Sequence, residues 1–409
     1  MSVATSKSEN KSPTSNWYIL LFATALAIIS MVGIDIYVPA LDQIQGDFGT
    51  TAAMVGLSMP AFFAGTFATQ LFYGPVSDAV GRKPVLLVGL CLFLLGTAAC
   101  IGADSIEMFL VGRFVQAFGI CSTAVLWQPI VTDTFPDDER RVKSIFGVVM
   151  SFIGISPALA PLLGGWITET FGWRAVFMLL FLMAAALLLF SAVAFSETLN
   201  ATRKRKIHPL GIVSSLKELA STPLFYIYAG AVGLTVGAYM SYLTIAPFSL
   251  SALGYSPMEI GVHFIPLAML FGLGGAMGKV FDGRVSEVAL LRVAGVIMLA
   301  AGIVFYVNLN ATPDQDIFDY LLPFGVLTFS FGIVIPTGSA MAIHHFRRIS
   351  GACSSGMNFV TSVAAFICTL IASLIYGDFL YNSMSIIIIF NSLLVLTLLS
   401  LLNLNNDAR

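Results

Sequence analysis

Apolar runs dominate the chain, and short polar stretches separate them almost to the C-terminus. Most runs are close to the ~20 residues that an α-helix needs to cross a bilayer core of ~30 Å. We therefore predict twelve membrane spans, numbered 1 to 12 in chain order. They cover residues 17–39, 52–74, 84–103, 107–130, 143–166, 174–195, 223–246, 259–280, 288–308, 320–342, 351–376 and 384–404.

The composition indicates the same class of protein. Hydrophobic residues make up 57% and charged residues 10% of the 409 residues, whereas about a quarter of a soluble protein is charged. Mean hydropathy is +0.90, and the formal net charge of −2 does not suggest a nucleic-acid partner. The five cysteines lie inside apolar runs without metal-binding or disulfide spacing, so we expect no metal and no cofactor.

The basic residues predict the orientation. Of the 20 lysines and arginines, all except Arg113 and Arg174 lie in the N-terminal stretch or around the boundary that ends an even-numbered span. Cytoplasmic loops accumulate these residues, so both termini are predicted to be cytoplasmic. Span 1 is too long for a cleavable signal peptide, and residues 1–16 are interpreted as a disordered cytosolic leader.

The longest polar stretch divides the chain into two halves. We predict an N-terminal six-helix bundle at 17–195, a cytosolic linker at 196–222, a C-terminal six-helix bundle at 223–404 and a tail at 405–409. A glycine and an aspartate four residues apart end span 2 (Gly74, Asp78) and span 8 (Gly278, Asp282). Such internal repetition is typical of secondary transporters, so we predict an all-α membrane protein with two pseudo-symmetric halves.

Two ionisable residues fall at membrane depth, where each costs several kcal/mol unless paired or hydrated. Asp35 in span 1 and Arg113 in span 4 are both ~8–9 Å below the predicted outer interface, at 1.5 Å per residue. We predict that Asp35 binds and releases a proton during transport, with Arg113 close enough to favour the carboxylate. A fixed structural ion pair, or an aspartate hydrated at a helix end, remains an alternative.

Other titratable residues have simpler interpretations. Glu107 and Glu259 have the spacing of helix caps. His344 and His345 adjoin basic residues on the predicted cytosolic side, whereas His263, near the outer start of span 8, is a weaker candidate proton carrier.

Several bulky side chains lie on spans expected to line a central cavity. Aromatic and methionine side chains offer adaptable contact area, which suits a lipophilic ligand of varied chemistry. Ordinary packing, or contact with lipid, is the alternative for each of them. The candidates are Tyr37, Met59, Phe63, Trp127, Tyr239 and Phe331.

Span 5 contains "GISPALAPLLGG", with two prolines four residues apart among small residues. Prolines free backbone carbonyls, and glycines allow close helix contact. This segment is interpreted either as a kinked packing helix or as a hinge or seal used in alternating access. Its candidate residues are Gly154, Pro157, Pro161, Gly164 and Gly165.

The stretch "GPVSDAVGRKPVLL" resembles the motif between spans 2 and 3 of the major facilitator superfamily, at Gly74, Asp78, Gly81, Arg82 and Lys83. "RFVQAFG" resembles the span 4 motif and "APLLGG" the span 5 antiporter motif, with alanine replacing one glycine in each. "DIYVPAL", "GWRAVF" and "ETL" are similar to the twelve-span drug:proton antiporters of the bicyclomycin and chloramphenicol resistance branch. Some related transporters carry a second acid in span 1 where this chain has alanine.

The resemblance implies the major facilitator fold and a role for the 74–83 motif as a cytoplasmic latch. Asp78 would accept hydrogen bonds at the N-terminus of span 11, near residues 351–354, where the helix dipole favours an anion. Arg82 would pair with Asp133 at the inner end of span 4. Charges that merely set the topology in a tight turn are the alternative.

The resemblance also implies export of lipophilic small molecules in exchange for protons, by a carrier that we expect to be a monomer in membrane lipid. A carrier of the same fold for a physiological solute, such as a siderophore or metabolite, possibly running inward, is the rival hypothesis. The sequence shows no catalytic constellation, which argues against an enzyme. It also has no GxxxxGK[ST] loop, so an ion gradient rather than ATP is expected to supply the energy.

Overall fold

The computed structural model describes residues 17–199, 217–281, 283–311, 315–375 and 382–406, whose regular secondary structure is helical throughout. Within these ranges twelve segments are long and apolar enough to cross a membrane, which confirms the predicted number of spans. The leader, most of the linker and the last three residues of the tail lie outside the described residues. Span 1 consists of the helices Trp17–Asp35 and Leu41–Phe48, joined by the 3₁₀ turn Val38–Ala40. Span 2 consists of Ala52–Gly56 and Ser58–Gln70 and is followed by the short helix Tyr73–Val80. Spans 3 to 12 are single helices: Arg82–Ile101, Ile106–Thr134, Glu139–Phe171, Trp173–Val193, Pro223–Ala252, Pro257–Phe281, Glu287–Ala311, Ile317–His345, Ser350–Ile375 and Asn382–Asn406.

Polar caps start several helices before their apolar runs begin. Span 5 starts at Glu139, because the Asp138 carboxylate accepts a hydrogen bond from the Arg141 amide at 3.0 Å. The capping role of Glu259 in span 8 is confirmed, since its carboxylate accepts the Ser256 amide at 2.8 Å. Hydropathy alone therefore placed these helix starts too late.

A second start differs from the prediction. Span 4 is capped by Ser105, whose hydroxyl accepts the Met108 amide at 3.3 Å, and Glu107 lies in the first turn. The cap therefore lies one residue later than the spacing of Glu107 indicated.

The same close contact recurs in both halves. A Cβ added at Gly65 in span 2 would lie 3.0 Å from Ala117 Cβ in span 4. A Cβ added at Gly274 in span 8 would lie 3.2 Å from Gly332 Cα in span 10. Small residues let these backbones approach in a medium that supplies little hydrophobic driving force between helices. Equivalent helix pairs thus pack alike, as expected for pseudo-symmetric halves.

The halves meet along spans 5 and 8 and along spans 2 and 11. We call the end of the bundle where span 1 turns into span 2 the outer end, after the predicted orientation. Here the Asp42 carboxylate accepts a hydrogen bond from Ser251 Oγ at 2.7 Å, and Glu169 accepts the Met258 amide at 3.1 Å. Between described residues, these two hydrogen bonds are the ones that join the halves, so the conformation is closed at the outer end.

Arg174, one of the two basic residues outside the cytosolic pattern, has a local partner at this end. Its Nη1 donates to Asp47 at 2.8 Å, and Trp173 Nε1 donates to the same carboxylate oxygen at 2.7 Å. The pair fastens the outer extension of span 1 to the start of span 6. Local pairing explains why an arginine lies here.

Candidate functional site

Asp35 lies where span 1 stops being a regular α-helix. It is the last residue of the helix Trp17–Asp35 and precedes the 3₁₀ turn Val38–Ala40, which contains Pro39. Its side chain is 5% exposed, and Oδ1 has no hydrogen-bond partner among the described residues. An ionised carboxylate would be costly in such surroundings, so they favour the protonated, neutral form.

Arg113 is buried beside the same break in span 1. Its Nη1 donates to the Gly33 carbonyl at 3.2 Å and to Gln116 Oε1. Its guanidinium carbon lies 4.0 Å from the ring centre of Tyr37 and 4.4 Å from that of Phe62. Aromatic faces thus stabilise the cation, while its Nε and Nη2 have no hydrogen-bond partner among the described residues.

Gln116 holds the side chain of Arg113 in place. It accepts from Nη1 of Arg113, and its own Nε2 donates to Thr97 Oγ1 at 2.9 Å. Gln116 and Thr97 are both fully buried. Arg113 is therefore fixed between span 3 and span 1, and the sequence interpretation had missed Gln116 although it lies inside the "RFVQAFG" segment.

Asp35 and Arg113 do not form an ion pair in this conformation. The ion pairs among the described residues do not include them, and Arg113 instead contacts Gly33 and Tyr37, two residues before and two residues after Asp35. The alternative of a fixed ion pair is thus not formed in this conformation, and the expectation that Arg113 favours the carboxylate of Asp35 stays a prediction. Arg113 of span 4 therefore lies beside the segment of span 1 that contains Asp35, without contacting Asp35 itself.

The predicted cavity residues of the N-terminal half are packed. Tyr37 Oη lies 2.9 Å from Ser58 Oγ, and its ring lies under Arg113. Trp127 packs against Phe146 with ring centres 5.0 Å apart. Met59 and Phe63 are also buried. In this conformation these four side chains serve packing and do not line an open surface.

The C-terminal half contributes an aromatic cluster. Tyr239 stacks on Phe324 with ring centres 6.1 Å apart and meets the edge of Phe331 at 6.2 Å. Phe331 is buried, whereas Tyr239 is partly exposed. Of the six predicted residues, Tyr239 and Phe331 thus belong to one aromatic cluster of the C-terminal half.

The span 5 glycines make close contacts with span 1 and with the opposite half. A Cβ added at Gly164 would lie 3.1 Å from Ile36 Cγ1, and one added at Gly165 would lie 3.0 Å from Met258 Cα. Pro157 and Pro161 lie inside the helix. Gly154 has no heavy atom within 4 Å of an added Cβ. The structure therefore places Gly164 and Gly165, but not Gly154, where the helices touch at the outer end.

Gly81 starts a tight junction at the inner end of spans 2 and 3. Its φ of +126° suits glycine, and an added Cβ would lie 3.0 Å from Glu197 Cδ. The Glu197 carboxylate accepts the Arg82 amide at 2.9 Å and the Lys83 amide at 3.2 Å, which caps span 3. Glu197 belongs to the "ETL" segment, and the sequence interpretation gave it no role.

The side chain of Arg82 connects three elements. It donates to Asp133 at 2.9 Å and to Ser77 Oγ at 2.6 Å, and it pairs with Asp78 at 2.5 Å. Lys83 Nζ donates to the carbonyls at the end of span 6. The Arg82–Asp133 contact lies where it was expected.

The described contacts of Asp78 differ from the expectation. Its carboxylate pairs with Arg82 in its own half and makes no described hydrogen bond to residues 351–354, and Gly74 has no heavy atom within 4 Å of an added Cβ. In a conformation closed at the outer end, the 74–83 motif thus holds the N-terminal half together.

The arrangement is that of a membrane protein with two six-helix halves and two buried ionisable residues, Asp35 and Arg113, beside the break in span 1. Residues 23–369 match the sequence profile of the Major Facilitator Superfamily, so the chain belongs to this family. Relatives include the "Uncharacterized MFS-type transporter YdgK" of Bacillus subtilis (strain 168), 30% identical over 335 residues (78% of this chain and 82% of that protein). "Multidrug resistance protein MdtL" of Shigella flexneri is 27% identical over 353 residues, or 79% of this chain and 87% of that protein.

Solved structures show the same fold. A bacterial homolog to the human lysosomal transporter Spinster, in an inward-facing and occupied conformation, has a TM-score of 0.75 at 14% identity and covers 95% of this chain and 96% of that chain. A D-xylose-proton symporter has a TM-score of 0.70 at 14% identity, over 93% of this chain and 97% of that chain. The protein is therefore a transporter of the Major Facilitator Superfamily and not an enzyme.

Proposed function

We propose that the protein is a proton-coupled exporter of lipophilic small molecules, of the bicyclomycin and chloramphenicol resistance branch, in the inner membrane with both termini in the cytoplasm. The observation that carries this proposal is the state of Asp35: its carboxyl group is buried at a break in span 1, and its Oδ1 has no hydrogen-bond partner among the described residues. The name of the MdtL relatives supports efflux of drugs.

Asp35 alternates between two states in this mechanism. With the outer end closed, its surroundings favour the neutral acid, which is the state before proton release to the cytoplasm. Once the proton leaves, the carboxylate needs a compensating charge. Two nitrogens of Arg113, Nε and Nη2, donate to no described residue, so a small shift of span 1 would let Arg113 supply that charge.

Substrate binding would follow loss of the proton. The aromatic cluster around Tyr239 offers apolar area to a lipophilic compound, and span 7, which carries Tyr239, packs against the 3₁₀ turn that follows Asp35. Opening of the outer end releases the compound and admits the outside proton that returns Asp35 to its neutral form. One carboxyl group thereby couples proton movement to substrate movement, since proton and substrate favour opposite conformations.

The 74–83 motif would act in the second half of this cycle. Arg82, Asp133 and Glu197 form a fixed base at the inner end of the N-terminal half. From this base we propose that Asp78 exchanges its partner Arg82 for the N-terminus of span 11 when the inner end closes.

Transport in proteoliposomes tests the proposal. The purified protein is reconstituted with and without an imposed pH gradient and presented with chloramphenicol, further lipophilic antibiotics and native metabolites. We expect gradient-driven movement of lipophilic drugs and its loss in Asp35→Asn, whereas Asp104→Asn, at an exposed aspartate, retains it. Undiminished proton coupling in Asp35→Asn would refute the role of Asp35, and movement of metabolites alone would favour a physiological carrier.

A further inference from the structure

A buried histidine–tyrosine pair lies in the C-terminal half, beside the aromatic cluster described above. His263 Nε2 in span 8 is 2.5 Å from Tyr242 Oη in span 7. His263 is 3% exposed and Tyr242 is fully buried, stacked on Phe324 with ring centres 3.4 Å apart. Imidazole in such a position is unusual, because ionisable groups at membrane depth are rare without a function.

The second ring nitrogen of His263 has no partner within the described part of the chain. Nδ1 is buried and forms no hydrogen bond with a described residue. Protonation would make both ring nitrogens donors: Nε2–H would be accepted by the Tyr242 oxygen, but Nδ1–H would have no acceptor. The closed conformation therefore favours neutral imidazole, and the charged form requires water at Nδ1.

His263 lies just behind the outer seal. It is six residues after Pro257, the first residue of span 8, and so ~9 Å from that end at 1.5 Å per residue. Two residues before it, Gly261 packs on span 5, where an added Cβ would lie 3.1 Å from Leu162 Cα. Separation of spans 5 and 8 would thus admit outside water to His263.

Asp35 adjoins the same turn of span 5. Its neighbour Ile36 packs on Gly164, three residues after the Pro161 carbonyl that faces Gly261. The 3₁₀ turn Val38–Ala40 also packs against spans 5, 7 and 8. The carboxyl group and the imidazole are therefore on opposite sides of one junction between the halves.

Two tyrosines of span 7 share one face of the helix beside this junction. Tyr242 and Tyr239 are three residues apart, and both stack on Phe324, with ring centres 3.4 Å and 6.1 Å away. Other titratable groups at this end have hydrogen bonds of their own. They are Tyr320 of span 10, which donates to Gln315 at 3.0 Å; Glu169 of span 5, bonded to the Met258 amide; and Glu259 of span 8, which caps its own helix.

From this geometry we propose that His263 is the outer proton-loading site and that closure of the outer seal transfers its proton to Asp35. A hydronium ion from outside protonates the imidazole and leaves as water. On closure the imidazolium loses one proton and the Asp35 carboxylate gains one, which leaves a neutral imidazole and a neutral acid. Closure favours this transfer at both residues, because burial disfavours the imidazolium of His263 and the carboxylate of Asp35 alike. The inference rests on the proposed role of Asp35 as proton carrier.

Time-resolved infrared spectroscopy after a drop in outside pH tests the transfer without any substrate. A protonated carboxyl group has its own carbonyl band, and the band that is missing from the Asp35→Asn protein belongs to Asp35. The rise of this band reports the protonation of Asp35. We expect His263→Gln, which keeps a hydrogen bond to Tyr242 but carries no proton, to slow this band about 10²-fold, as for loss of a positioned acid or base. Its final amplitude should be unchanged, because Asp35 itself is intact.

Two further variants make the result specific. Tyr242→Phe should also slow the rise of the band, because it removes the hydroxyl that links His263 to span 7. In His345→Gln, at an exposed histidine, Asp35 should be protonated at the wild-type rate. Wild-type loading in both His263→Gln and Tyr242→Phe would overturn the inference while leaving Asp35 as the carrier. Absence of the Asp35 band from the wild-type protein would overturn the carrier role and the inference together.

Discussion

Gly165→Ala should open the outer end of the transporter. In the closed conformation an added Cβ at Gly165 would lie 3.0 Å from Met258 Cα, and nearer to the Pro257 carbonyl oxygen. Carbon atoms pack best at ~3.5–4.0 Å, so spans 5 and 8 must separate by at least ~0.5 Å to accept the methyl group.

The magnitude follows from the cost of overpacking. Extra carbon in a well-packed contact costs about 1–3 kcal/mol, and here the cost falls on the outer-closed conformation alone. The equilibrium between open and closed forms should therefore shift about 5- to 150-fold toward the open form.

Accessibility of a cysteine at position 373 measures this shift. Ser373 is 1% exposed, and its Oγ would lie 2.9 Å from a Cβ added at Gly56 in the opposite half. In a background without the five native cysteines, Ser373→Cys should react faster with a membrane-impermeant maleimide once Gly165→Ala is added.

Gly154→Ala is the matched control, because it makes the same change in the same helix where an added Cβ meets nothing within 4 Å. It should leave the labelling rate unchanged. Equal labelling rates in the Gly165→Ala and Gly154→Ala proteins would refute the assignment of Gly165 to an outer seal.

Three further predictions concern the contacts that hold the N-terminal half together, each measured by thermal unfolding of the purified protein. Glu197→Gln removes the charged acceptor of two amides at the start of span 3 and should cost ~1 kcal/mol, whereas Glu139→Gln, in an exposed pair, should have little effect. Gln116→Leu deprives buried Arg113 of an acceptor and should cost about 1.5–3 kcal/mol. Asp47→Asn weakens a half-exposed pair with Arg174 and should cost less than ~1 kcal/mol; a larger loss would contradict its assignment as a local tie.

The fold could be predicted from the sequence because hydropathy and charge placement act over whole helices. Each span consists of about twenty mostly apolar residues, so no single residue decides whether it is recognised. The predicted count of twelve spans agrees with the structure. Helix ends were less predictable. Single polar residues decide them, as Asp138 does for span 5 and Ser105 for span 4.

The candidate site was predictable in its charges and not in its contacts. Asp35 and Arg113 stand out because ionisable residues are costly at membrane depth. Whether they touch depends on the break in span 1 and on the aromatic rings beneath Arg113, and neither leaves a sequence signal that fixes a distance. Gln116 and Glu197 were missed because a single amide or carboxylate has many ordinary uses.

The break in span 1 and the small residues of span 5 form one structural unit. Beyond Asp35 the chain leaves the regular α-helix, and the carbonyl of Ile36 lies where a side chain at position 164 would be. Only a residue without a Cβ lets span 5 pass this carbonyl and, one residue later, contact span 8. A movement that separates spans 5 and 8 therefore also alters the packing around Asp35. In the proposed mechanism, this direct contact couples the seal between the halves to the protonation of Asp35.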